Sequence, residues 1–111
     1  MTTLSSSNTR GSDNNNEKKN NKIRVHAFVS GKVQGVYFRQ HTQIVANRCN
    51  VSGYVRNLKD GRVELVLEGN EMDVTNVIKW SHIGSPNSKV ENVDVKYEKY
   101  IGEFLEFKIN Y

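Results

Sequence analysis

Between Ile23 and Ile109 the apolar residues change spacing in a fixed succession: every second position, every third or fourth, every second in two separate runs, every third or fourth, and every second again. Side chains repeat every two residues along a strand and about every 3.6 along a helix, so the succession dictates an order of elements. Ile23, Val25, Ala27 and Val29 alternate with Arg24, His26, Phe28 and Ser30 as in a half-buried strand. Phe38, Thr42, Val45 and Cys49, with Ile44 beside them, predict a helix over 37–49. Two β-rich runs, 51–58 and 62–68, flank Lys59-Asp60-Gly61, and Asp-Gly is a strong hairpin signal. Asn70 followed by Asp73 predicts an N-cap, with Val74, Val77, Ile78 and Ser81 as the buried stripe of a second helix ending near Gly84-Ser85-Pro86. Val93, Val95 and Tyr97 predict a fourth strand, and Leu105, Phe107 and Ile109 a short closing one.

That order implies an α+β chain: a ferredoxin-like βαββαβ sandwich, an antiparallel sheet with two helices on one face and a short C-terminal edge strand. A chain of 111 residues supports one domain with one core, here expected over 23–111. Residues 1–22 are dominated by Ser, Thr, Asn and Lys around an isolated Leu4 and cannot offset the entropy of ordering, so a disordered tail is expected. Arg10, Lys18, Lys19 and Lys22 against Asp13 and Glu17 put half of the net charge of +4 in that tail. The small remainder, without a Lys/Arg stripe, argues against a nucleic-acid surface. A sheet that stacks RNA bases also needs aromatic residues on a central strand, and Arg62-Val63-Glu64-Leu65-Val66-Leu67-Glu68 has none. The single cysteine, Cys49, cannot form an internal disulfide, and no apolar run has the length of a membrane span or signal peptide. A cytoplasmic chain without a membrane partner is expected.

Function must come from a site, because this fold hosts many. The segment Ser30-Gly31-Lys32-Val33-Gln34-Gly35-Val36 joins a strand to a helix, and its glycines let successive N–H groups face one point. The positive end of the following helix and the Arg39 guanidinium in its first turn favour an anion there. Taken alone, the same residues also make an ordinary strand-to-helix turn with a solvated arginine. The loop lacks the Gly-Lys-Ser/Thr of a nucleotide phosphate loop and the third glycine of a dinucleotide fingerprint.

The stretch Val29-Ser30-Gly31-Lys32-Val33-Gln34-Gly35-Val36-Tyr37-Phe38-Arg39 resembles the phosphate-loop signature of the acylphosphatase family. Gly53-Tyr54-Val55-Arg56-Asn57, Gly61-Arg62-Val63 and Glu68-Gly69 resemble the family's second signature with its spacing intact, and Gly102-Glu103-Phe104 agrees near the end. The resemblance implies hydrolysis of acyl phosphates to a carboxylate and inorganic phosphate by in-line attack of water, in a monomer without metal or other cofactor. By the same resemblance, the N–H groups of Gly31, Lys32, Val33, Gln34, Gly35 and Val36 and the Arg39 guanidinium bind phosphate, while the Asn57 amide positions the water.

The chemistry suits those residue types. An acyl phosphate carries good leaving groups on both sides, so positioning and charge stabilisation suffice. Asn57 can donate and accept but cannot titrate, so it orients a water without acting as its base, and the resemblance implies that the proton passes to a phosphate oxygen of the substrate. Lys32 adds positive potential, and Arg56 should point to the opposite sheet face. His26, His41 and His82 show no metal spacing, Cys49 reads as a small core residue, and Trp80, Tyr97 and Tyr100 read as packing.

Overall fold

The computed structural model describes residues 21–111. The elements are β1 (Lys22–Lys32), α1 (Phe38–Arg48), β2 (Ser52–Asn57), β3 (Val63–Asn70), α2 (Glu71–Ile83), β4 (Lys89–Glu98) and β5 (Phe107–Asn110), and the strands form one sheet in the order β4-β1-β3-β2-β5. This is the ferredoxin-like sandwich that the order of spacings predicts. The tail expected over 1–22 lies outside the described residues except for Asn21 and Lys22. Lys22 opens β1 opposite Asn70, and the Asn21 carbonyl accepts the first N–H of α2 from Glu71 at 2.9 Å.

Alternation decides which face of the sheet is covered. Val25, Ala27 and Val29 of β1, Val55 of β2 and Val63, Leu65 and Leu67 of β3 are buried beneath the helices. From α1 they meet Phe38, Thr42 and Ala46, and from α2 Val74, Val77 and Ser81. Val45 and Cys49 are only half-buried and Ile44 is exposed, so the buried stripe of α1 is centred closer to Ala46 than the spacing suggested. Trp80 lies over the Phe38 ring at a centroid distance of 5.3 Å and so packs as expected. Tyr97 and Tyr100 do not: both are exposed, because their stretch passes the open edge of the sheet. Asn70 occupies the N-cap of α2 without a side-chain capping bond.

Two close approaches fix the strands. β1 runs on through Gly31 and Lys32, which pair with Val90 and Lys89 after a register shift at Ser30. At Gly53 φ is 138°, and a Cβ there would collide with the Val66 carbonyl oxygen of β3.

The four longer strands pair antiparallel, whereas β5 pairs parallel with β2. The expected all-antiparallel sheet is therefore corrected to a mixed one. After β4 ends at one edge of the sheet, residues 99–106 carry the chain to the opposite edge, where the direction of travel sets β5 alongside β2. Leu105, expected in the closing strand, belongs instead to this crossover and is fully exposed. Glu68, on the β3 face away from the helices and 1% exposed, holds the crossover in place. Its carboxylate accepts the N–H groups of Ile101 (3.2 Å), Gly102 (3.2 Å) and Glu103 (2.9 Å) and pairs with Arg24 at 3.2 Å. Beside it Glu64 takes His26 at 2.6 Å and the Arg56 guanidinium. Arg56 thus points away from the helices, as alternation requires, but is ion-paired as well as solvated.

Burial by itself would raise the Glu68 carboxyl. The N–H groups of Ile101 and Glu103 and the Arg24 guanidinium outweigh it and hold the pKa below the usual carboxylate range. A lowered folded pKa stabilises fully above the unfolded value of about 4.3 and is lost as pH falls through the folded one. Glu68→Gln is therefore expected to cost about 2 kcal/mol at neutral pH and to flatten the loss of stability below about pH 4, measured by urea unfolding across a pH series. Gly53→Ala is expected to cost at least about 3 kcal/mol in the same assay, because strain at positive φ adds to a clash with backbone.

Candidate active site

The ends of β1 and β2 and the start of α1 converge on the helix-covered side of the sheet. Between β1 and α1 the chain turns through residues 33–37. Val33 and Val36 turn inward and are buried. The Gln34 amide donates to two carbonyls of the β2–β3 hairpin, Leu58 at 2.8 Å and Arg62 at 2.9 Å. Ser85, just past α2, donates its hydroxyl to the Val36 carbonyl at 2.8 Å. Side chains and one carbonyl thus anchor the loop. Its N–H groups are left over: among the described residues, none from Gln34 to Gln40 donates to a protein acceptor.

Electrostatics favour an anion at this point. The first turn of α1 contains no acidic residue and no side-chain cap, whereas α2 carries Glu71 and Asp73 in its first turn. The positive end of the α2 dipole meets charges of its own chain; that of α1 does not. The cap of α1 is Tyr37, a non-glycine residue at φ 62°, ψ 26° in the left-handed region. Its carbonyl accepts both the backbone N–H of His41 at 3.1 Å and the His41 ring Nδ1 at 2.9 Å.

Arg39 and Asn57 meet here. Val33, Gly35, Tyr37, Phe38, Arg39, Gln40 and Asn57 line one cleft of about 240 Å³. Asn57 ends β2 opposite Val63, on the same face as buried Val55 and opposite in direction to Arg56. Its side-chain Oδ1 is buried and has no hydrogen-bond partner among the described residues. Arg39 is held from its far side by the end of β5: Nη1 donates to the Asn110 carbonyl at 3.3 Å, and the guanidinium lies 4.6 Å from the centroid of the Tyr111 ring.

Of the residues expected at the site, Val33, Gly35, Arg39 and Asn57 line the cleft. Gln34 and Val36 hold the loop from outside the cleft, through the amide and carbonyl contacts given above. Gly31 and Lys32 lie in β1, paired with β4 rather than in the turn. Reasoning from sequence missed Tyr37, Phe38 and Gln40 as cleft residues and Ser85, Asn110 and Tyr111 as supports. The last three come from distant parts of the chain, and no local pattern announces them. Cys49 lies elsewhere, half-buried, where burial and the Asp73 carboxylate push its thiol pKa up and keep it protonated.

Comparisons with known proteins identify the family. The family model described as Acylphosphatase matches residues 25–109. An acylphosphatase of Pyrobaculum calidifontis is 53% identical over 88 residues, 78% of this chain and 80% of the relative. One of Syntrophus aciditrophicus is 51% identical over 88 residues, 79% of this chain and 92% of the relative. The crystal structure of an acylphosphatase from Bacillus subtilis superposes with a TM-score of 0.78 at 35% identity, covering 80% of this chain and 99% of that one. With its loop, its paired signatures and all of its sheet but residues 22–24 and Asn110 inside the family match, the chain belongs to the acylphosphatase family.

Proposed function

We propose that this chain hydrolyses acyl phosphates without a metal ion, with Arg39 and the loop N–H groups on the phosphoryl oxygens and Asn57 on the attacking water. One observation carries the reading: a buried, unpartnered amide oxygen lines the same cleft as a guanidinium and a run of unused N–H groups. A buried acceptor left without a partner is costly, and a water donating to Asn57 Oδ1 removes that cost.

The reaction then runs as follows. The phosphoryl group sits over the turn and the first turn of α1, where N–H groups and Arg39 meet the charge that spreads over its equatorial oxygens. Water held by Asn57 attacks phosphorus opposite the carboxyl oxygen. The new P–O bond forms as the old one breaks, its electron pair leaves with the carboxylate, and a proton of the water passes to a phosphate oxygen. The guanidinium and N–H groups supply the positive charge that a phosphotransferase draws from magnesium, and none of the cleft residues is a carboxylate, imidazole or thiol. The proposed enzyme acts as a monomer in the cytoplasm, a compartment that the lone cysteine Cys49 suits.

Asn57→Ala is expected to lower kcat at least about a hundredfold while inorganic phosphate still competes for the site, since water positioning is lost and the anion cradle is kept. Arg39→Ala should weaken phosphate inhibition and kcat together, because the guanidinium acts in both ground and transition states. Steady-state kinetics on an acyl phosphate, with phosphate as competitive inhibitor, test both. Unchanged phosphate affinity in the arginine variant overturns its assignment, and a rate abolished by chelator and restored by magnesium overturns the metal-free reading.

A further inference from the structure

Tyr37 is a tyrosine where the backbone calls for glycine. At φ 62° it carries the strain of a side chain in the left-handed region, yet the cap of α1 uses only its backbone carbonyl. The side chain makes no capping bond, stands outside the hydrophobic core and is 68% exposed. Among the described residues its hydroxyl has no hydrogen-bond partner within the protein. Neither packing nor capping therefore accounts for an aromatic ring at this position.

Tyr37 nevertheless lines the cleft that holds Arg39 and Asn57. In-line attack divides that cleft: Asn57 holds the water on one side of phosphorus, so the leaving carboxylate and its acyl group depart on the other. Arg39 and the turn are occupied with phosphoryl oxygens, and Phe38 is buried in the core. Tyr37 and Gln40 are the exposed side chains of the lining that remain to meet the acyl group. An unpartnered aromatic face binds flat apolar groups by stacking, and strained residues concentrate where a ligand benefits from them.

Resting on the acyl-phosphate reading, we propose that Tyr37 is a specificity residue whose ring face binds the acyl group, so that the cleft favours acyl phosphates with a planar, apolar acyl part over small aliphatic ones. The test compares kcat/KM for benzoyl phosphate and acetyl phosphate in the wild type, Tyr37→Phe, Tyr37→Ala and Tyr37→Gly, with inhibition by inorganic phosphate measured alongside. The ratio of benzoyl to acetyl should fall about five- to tenfold in the alanine variant, chiefly through KM for benzoyl phosphate, with phosphate inhibition unchanged. Tyr37→Phe should keep the ratio, and Tyr37→Gly, which relieves the backbone, should lose it as alanine does. An unchanged ratio in both small variants, or an equal loss on both substrates, overturns the proposal while leaving the hydrolase reading standing. A wild type that hydrolyses neither substrate brings down both.

Discussion

A turn that offers its N–H groups to an anion cannot use them to hold itself together. In most strand-to-helix turns the backbone donors are consumed locally, and the turn is stable for that reason. Here residues 33–37 are held by everything else: two valine side chains in the core, the Gln34 amide across two hairpin carbonyls, and the Ser85 hydroxyl on the Val36 carbonyl. The two Gln34 contacts also fix the spacing between the turn and the hairpin whose first strand ends in Asn57. In the proposed mechanism, rigid anchoring of the donors before substrate arrives lets them stabilise developing charge without reorganising.

Arg39 depends on a longer chain of support. Its guanidinium is steadied by Asn110 and Tyr111, which reach it only because the chain crosses from β4 at one edge of the sheet to β5 at the other. That crossover has little apolar burial of its own: Ile101 and Leu105 are exposed, and Phe104 is half-buried against Tyr54 and the Arg24 guanidinium. The buried Glu68 carboxylate takes the place of a core there, collecting three successive backbone N–H groups and an arginine. A buried carboxylate is costly unless fully paired, and this one is. A charge on the open face of the sheet thus helps to position an arginine near its covered face.

The elements whose apolar spacing is strict were legible in the sequence. β1, both helices, the Asp60-Gly61 hairpin and β4 all occur where the pattern puts them, because each buries one face against a single core and the period records that face. Even so, β4 runs from Lys89 to Glu98, well beyond the alternation seen at Val93, Val95 and Tyr97, since an edge strand pairs through its backbone whatever its side chains. Gly31 shows the same limit in the site. Beside Lys32 and Gly35 it looks like part of the turn, but β4 pairs with it and draws it into the sheet.

By itself the sequence determined the succession of strands and helices, the one-sided core, and the proximity of a glycine turn, a helix start and Arg39, because those residues are neighbours along the chain. Tertiary structure decided what lies opposite them. It set Asn57 across the cleft from the helix start with its Oδ1 unpartnered, placed Gln34 and Ser85 behind the turn, laid the C-terminal residues over Arg39, and forced Tyr37 into a backbone conformation that propensity disfavours. Such contacts join positions tens of residues apart, and their energies arise only once the sheet has fixed the distances, so no local pattern carries them.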